Sequence, residues 1–253
     1  MIQARHLTKI YTSKKQGRVA ALDGLSLTCA AGEVYALLGA NGAGKTTLLR
    51  ILSTLIEPTS GSATIGGLSV REAKHDVRRL IGVVSYETGV YERMTPREIA
   101  YFFGRLNGLE DPIIERHLAA CVEMLRMGDF VDRRTDGFSS GMKQKTVILR
   151  ALITDPQVLL FDEPTSGLDL RTAKNVADHI RLLRENGKTV LLTTHILWEA
   201  ERLADTIGIL AEGKLIAEGS LADLRRVTGR TDIEDIFFTL TDESRSQPCT
   251  QPS

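Results

Sequence analysis

The chain opens on alternation. Residues 2–11 and 19–29 place apolar and polar side chains in turn, on either side of a polar loop at 12–18. Period two puts one strand face on a core and the other in water, which predicts an antiparallel sheet at the N-terminus. A continuous apolar run, Val34–Leu38, follows, and after a glycine-rich stretch Leu48, Leu49, Ile51 and Leu52 recur at helical spacing. Pro58 and Gly61 punctuate a turn at 57–61, a short strand and turn occupy 63–67, a helix is expected over 70–80, and an apolar strand over 81–85. From residue 87 the period changes to that of helices. Thr95, Pro96 and Glu98 spell a capping box ahead of Ile99, Phe102, Phe103 and Leu106 on one face. Asp111 and Pro112 are expected to cap a second helix with Ile114, Leu118, Cys121 and Leu125 on its stripe, and a third runs from about 140 to 154.

Strand character returns at 158–161, four apolar residues ending on Asp162 and Glu163. A helix leads to Asn186 and Gly187, then an apolar strand at 189–194 ends on His195. Residues 207–210 and 214–217 read as a hairpin, 220–227 and 232–240 as short helices, and 241–253 as a polar, proline-bearing disordered tail. The pattern predicts an α/β chain: a mainly parallel sheet with helices, an antiparallel N-terminal β-subdomain, and a helical subdomain inserted at about 87–155.

Composition narrows the class. Thirty-two basic and 32 acidic residues balance in a 253-residue chain, so no polyanion coat is implied and no nucleic-acid partner is expected. Cys29, Cys121 and Cys249 form no C-x-x-C pair, which fits a reducing compartment and no zinc site. No apolar run reaches the roughly 18–20 residues that cross a bilayer, and the first residues carry no apolar signal core. A chain soluble in the cytoplasm is expected, with any membrane link made through a partner.

The chemistry concentrates at Gly39, Ala40, Asn41, Gly42, Ala43, Gly44, Lys45, Thr46 and Thr47, a G-x-x-x-x-G-K-[ST] match between a strand and a helix. The glycines let the backbone turn tightly and present N–H groups to an anion, and the helix beyond aims its positive end at the same place. Lys45 reaches β- and γ-phosphates, and the Thr46 hydroxyl suits Mg²⁺. Asp162 and Glu163 end a buried strand at the edge where doubly wound sheets bind ligands. Asp162 suits the second shell of Mg²⁺ and Glu163 the attacking water, or the pair simply caps the next helix. His195 either meets a γ-phosphate or is structural. Tyr11 offers an aromatic face for a purine, or is an ordinary strand-end tyrosine.

With these pieces in this order, residues 1–220 resemble the ATP-binding subunit of an ABC transporter, a P-loop NTPase-type fold. The resemblance implies ATP and Mg²⁺ as cofactors. It puts Tyr11 on adenine, Asp162 on Mg²⁺ through water, Glu163 as the catalytic carboxylate and His195 as a switch histidine. The loop at 166–169, with Asp169, would communicate across a dimer. Phe138, Ser139, Ser140, Gly141 and Met142 stand where the family carries its signature, usually Leu-Ser-Gly-Gly-Gln; Ser139, Ser140 and Gly141 would then close on nucleotide held by the other subunit. Ser139 also makes a good helix N-cap. Residues 221–240 would be a short helical extension. The implied partners are an integral-membrane permease and a second nucleotide-binding subunit, as a homodimer or pseudo-dimer on the cytoplasmic face of a bacterial membrane.

Two departures accompany the match. Ser140 and Met142 replace a glycine and a glutamine, and Tyr86, followed by Glu87, stands where the family has a Mg²⁺-touching glutamine. A phenol is a poor Mg²⁺ ligand, so Glu87 or water is expected to fill that position. The phenylalanine-led signature, the altered glutamine position and residues 97–98 and 101–108 are similar to ATPases of bacterial sodium-efflux exporters. Multidrug, lipid and haem exporter ATPases share much of the pattern. Soluble non-transport ABC ATPases and a binding-only half-site are the further alternatives.

Overall fold

A computed structural model describes residues 1–13, 17–85 and 89–246. Strand β1 (Ile2–Ser13) pairs antiparallel with β2 (Gly17–Cys29), from Ile2 opposite Cys29 to Tyr11 opposite Val19, as the alternation requires. Strand β3 (Val34–Leu38) is buried throughout and leads through the glycine-rich turn into helix α1 (Lys45–Leu52). Strands β4 (Ser60–Ile65) and β5 (Leu68–Ser69) extend the first sheet to the order β2-β1-β4-β5. Helix α2 (Lys74–Leu80) is shorter than expected. Val70 donates its N–H to Ala63 O, so residues 68–73 complete the sheet edge and a turn before helix can start.

Strand β6 (Ile81–Ser85) precedes the helical lobe: α3 (Pro96–Leu106), α4 (Asp111–Leu125), a 3₁₀ turn (Thr135–Gly137) and α5 (Ser140–Leu152). The capping box on α3 is formed. Thr95 Oγ1 accepts from Glu98 N at 3.1 Å, and Glu98 Oε2 accepts from Thr95 N at 2.8 Å. At α4 the cap position falls on Glu110, and the expected cap, Asp111, instead pairs with Arg105 at 2.6 Å. The guanidinium outcompetes a backbone N–H for that carboxylate.

The chain then returns through β7 (Val158–Asp162), α6 (Leu170–Glu185), β8 (Thr189–Thr194), α7 (Leu197–Leu203), β9 (Thr206–Ala211), β10 (Lys214–Gly219), α8 (Leu221–Thr228) and α9 (Ile233–Ser246). Helix α9 passes the expected boundary at 240 and takes 241–246 from the anticipated tail; Thr241 Oγ1 donates to Phe237 O within it. Tyr86, Glu87 and Cys249 lie outside the described residues, as does the idea that Glu87 replaces the glutamine.

The second sheet has the order β10-β9-β3-β8-β7-β6. All its neighbours are parallel except β9 with β10, which form the expected hairpin. Its two faces feed two cores. Val34, Ala36 and Leu38 point to the side covered by the helical lobe and α6, while Tyr35 and Leu37 join α1 and the antiparallel sheet. Each fully buried Leu, Ile or Phe contributes about 1.5–3 kcal/mol, so a strand buried on both faces is held in one register. That register sets Leu38 beside Thr194, Thr193 beside Asp162, and Asp162 beside Ser85. The C-terminal ends of four strands meet at one edge.

Candidate nucleotide site

At that edge the turn after β3 is shaped by contacts that exclude side chains. Gly44 has φ +113°, and a Cβ there would lie inside the Ala21 carbonyl of β2. A Cβ on Gly39 would come within 2.6 Å of Leu210 O. Gly39 N–H donates to Thr194 O at 3.1 Å and Gly213 N–H to Ala43 O at 3.0 Å, which fixes both sides of the turn. Gly44 supplies no side-chain cap to α1 and the first turn holds no acidic residue, so the helix's opening N–H groups and its dipole face an anion site. Ala40, Asn41 and Gly42 are exposed on the turn, and Thr47 is half-buried behind it.

Lys45 is 4 % exposed. A buried ammonium needs partners, and it has three: Gly39 O at 2.7 Å, Ala40 O at 3.1 Å and Glu163 Oε1 at 3.4 Å. One residue on, Thr46 Oγ1 lies 3.4 Å from Asp162 Oδ1, which also accepts from Thr193 Oγ1 at 2.7 Å. A hydroxyl and a carboxylate converging beside a phosphate-binding turn are a hard-oxygen donor pair. Mg²⁺ is commonly held by one or two such protein oxygens together with phosphates and water, so these residues fit that ion. Among the described residues no cluster of three His, Cys, Asp or Glu offers a self-sufficient metal site.

Glu163 leaves β7 with φ +47°, an uncommon conformation for a residue with a side chain, and its N–H donates to Thr193 O at 3.0 Å. The turn swings the carboxylate across the strand ends. Its Oε2 lies 3.2 Å from His195 Nδ1, so Lys45, Glu163 and His195 form one chain of contacts. Neither carboxylate caps α6. That cap is Asp169, which accepts from Arg171 N, Thr172 N and Thr172 Oγ1 at 3.0, 3.1 and 2.7 Å. The Thr172 hydroxyl and these N–H groups hold the Asp169 carboxyl below the usual carboxylate range.

Tyr11 is exposed at the end of β1, with Lys9 Nζ 5.4 Å from its ring centroid. It pairs with Val19, two residues along β2 from the Ala21 carbonyl against which Gly44 packs. Ser139 caps α5, its Oγ accepting from Met142 N at 3.3 Å, and Gly141 faces Thr172 at the start of α6. Among the described residues no hydrogen bond or ion pair joins Ser139, Ser140 or Gly141 to the phosphate turn of the same chain. Two residues near the site escaped the sequence reading. Gln144, 3 % exposed, donates from Nε2 to Pro164 O at 3.2 Å, and Glu199 of α7 is completely buried. The signal was there in part: Glu199 and Gln144 are polar residues at core-facing positions of their helices.

A model of the ABC transporter family matches residues 22–166, more than half of the chain, from within β2 through the turn after β7. The chain belongs to this family. The ABC transporter ATP-binding protein NatA of Bacillus subtilis (strain 168) is 39 % identical over 240 residues, covering 94 % of this chain and 97 % of that protein. The Nod factor export ATP-binding protein I of Rhizobium meliloti is 42 % identical over 207 residues, 82 % of this chain and 62 % of the relative. A solved ATP-binding subunit of an ABC transporter superposes with a TM-score of 0.83 at 31 % identity, covering 95 % of this chain and 99 % of that one. The dimeric post-hydrolysis state of the cassette MJ0796, bound to ADP and Pi, superposes at 0.76 with 26 % identity, covering 87 % and 98 %. The chain is an ABC-type ATPase that binds ATP, with exporter-type relatives.

Proposed function

We propose that this chain powers an exporter, with sodium as the favoured cargo, by hydrolysing Mg·ATP at the edge formed by β3, β7 and β8. The observation that carries the proposal is Glu163, aimed by its own backbone between Lys45 and His195. In this reading Lys45 exchanges the Gly39 and Ala40 carbonyls for β- and γ-phosphate oxygens, and the turn's N–H groups take the remaining charge. Thr46 and Asp162 would hold Mg²⁺, which neutralises charge on the phosphates when bound. Glu163 accepts a hydrogen bond from the attacking water and sets it in line with the γ-phosphorus. His195 holds Glu163 on one side and meets the γ-phosphate on the other. Tyr11 stacks on the adenine.

Two copies work head to tail. Ser139, Ser140 and Gly141 at the start of α5 supply the partner's site with a hydroxyl, N–H groups and a helix N-terminus, which explains why they stand clear of their own phosphate turn. Asp169 belongs to the communicating loop between the sites. Among the described residues no helix is long and apolar enough to cross a membrane, so solute passes through a separate permease, which docks on the helical lobe from the cytoplasmic face. The exposed aromatic residues Tyr91 and Phe102 mark that lobe. Sodium is favoured by the resemblance of the phenylalanine-led signature and residues 97–98 and 101–108 to sodium-efflux exporter ATPases, and the relative NatA is matched along nearly its full length. Export of a larger organic solute is the second reading, supported by the Nod factor relative at similar identity.

The test is phosphate release by purified protein and by Glu163→Gln, with oligomeric state read with and without Mg·ATP. Loss of turnover with an ATP-trapped dimer is expected. Turnover retained in Glu163→Gln would sink the assignment of the carboxylate. Sodium flux by vesicles holding the permease and this chain then separates the two cargo readings.

A further inference from the structure

Glu199 is the third residue of α7 and 0 % exposed. Its Oε1 accepts the hydroxyl of Thr165, itself 3 % exposed, and the Thr194 hydroxyl is near enough to pull the carboxyl's pKa down. Oε2 is buried without a hydrogen-bond partner. Burial raises its pKa; the two hydroxyls and His195 nearby pull it back, while Glu163 adds to the rise. No lysine or arginine forms an ion pair with it among the described residues. A buried carboxyl with one bare oxygen is a costly way to fill space that Met or Leu would fill well.

Its surroundings explain the expense. Thr165 stands two residues beyond Glu163, in the turn closed by Ser166 N donating to Glu163 O at 3.2 Å. Thr194 stands one residue before His195. Its hydroxyl also accepts Ile196 N–H at 2.9 Å, and its carbonyl takes the Gly39 N–H that opens the phosphate turn. Glu199 sits on α7, which starts two residues after His195, so its bond to Thr165 ties the turn carrying Glu163 to the segment that leaves β8 through His195, beside the point where β8 meets the phosphate turn.

We propose that Glu199 is a positioning residue for ATP hydrolysis, clamping the turn at 163–166 to the end of β8 so that Glu163 and His195 keep their contact. The inference rests on the roles given above to Glu163 and His195. It separates from a merely structural role because the two predict different effects of an apolar replacement on catalysis. If Glu199 only filled the core, an apolar replacement of similar size would leave catalysis alone. As a clamp, the same replacement removes a buried carboxyl, leaves the fold as stable as before or more so, and lets the two site segments drift. Drift of about an ångström costs on the order of a hundredfold in rate.

The experiment measures kcat, KM for ATP and Tm for Glu199→Met, Glu199→Gln and Thr165→Val, beside Glu163→Gln. The expected result is a fall in kcat of about ten- to a hundredfold in Glu199→Met and Thr165→Val, with KM within about twofold, Tm unchanged or raised in Glu199→Met, and Tm lowered in Thr165→Val, where the buried carboxyl loses its donor. Glu199→Gln, which keeps the acceptor for Thr165, should recover most of the rate. Combining Glu199→Met with Thr165→Val should cost no more than either alone. Wild-type kcat in Thr165→Val and Glu199→Met overturns the proposal. Should Glu199→Met fail to fold, Thr165→Val, which loses only a hydroxyl, decides. Loss of turnover in Glu163→Gln with normal rates in the other two sinks the clamp alone; retained turnover in Glu163→Gln sinks the reading beneath it.

Discussion

His195 Nδ1 lies 3.2 Å from Glu163 Oε2, while Lys45 Nζ lies 3.4 Å from the other oxygen of the same carboxylate. The two contacts are unequal in kind. Lys45 is buried and binds the phosphate turn, whereas His195 is partly exposed and stands on the far side of the carboxylate. Replacing His195 by Ala therefore frees Glu163 on one side and removes one contact to the γ-phosphate, while Lys45 and the turn's N–H groups stay in place. Turnover should fall by about ten- to a hundredfold, with ATP affinity changed by less than about threefold. Phosphate release and titration with a fluorescent ATP analogue measure the two separately. Equal losses in both would mean that His195 serves binding rather than the hydrolytic step.

The phosphate turn itself is sensitive to the smallest addition. Gly44 carries both a positive φ and a carbonyl where its Cβ would go, whereas Gly42, with φ +82°, has open space around it. Gly44→Ala must push β2 away from α1 or abandon the turn, at a cost of about 1–3 kcal/mol for backbone strain alone. Gly42→Ala meets strain without a clash. The expected ranking is loss of ATP binding in Gly44→Ala and a milder weakening in Gly42→Ala, read by the same titration with thermal melts alongside. The reverse order would show that the anion-facing N–H geometry, and not packing on Ala21, limits the turn.

Local features were legible before the structure because their causes are local. A capping box needs only Thr95 and Glu98, and the phosphate turn needs only its glycines between a strand and a helix. The alternation through β1 and β2 likewise reports a half-buried sheet directly. What escaped depends on residues far apart in sequence. Asp111 reads as a cap until Arg105 turns out to reach it. Residues 241–246 read as tail by composition, yet they continue a helix whose earlier turns place Phe237 and Leu240 against the core. The positive φ of Glu163 and the burial of Glu199 are set by the neighbours of β7 and β8, and strand order is invisible to any one segment.

His179 supplies a test of stability against pH. It lies on α6 with Nδ1 buried and unpartnered, and burial, helped by Lys145 and Arg126 and opposed by Asp178, lowers its pKa from 6.5 to about 4. The folded protein thus keeps the ring neutral at pH values where the unfolded chain has already bound a proton. Falling pH then favours the unfolded state. The stabilisation is fully present above about pH 6.5, is lost progressively as pH drops toward 4, and changes no further below that. At about 1.4 kcal/mol per pKa unit the loss is at most about 3.5 kcal/mol, trimmed by the solvent that reaches this half-buried ring. Unfolding free energies of the wild type and of His179→Gln, taken by urea titration at pH 7 and pH 4.5, isolate the effect because glutamine does not titrate. The wild type should lose more stability than the variant over that interval. Parallel losses in the two proteins would place the acid sensitivity elsewhere, on carboxylates such as Asp169 whose bonds fail as they protonate.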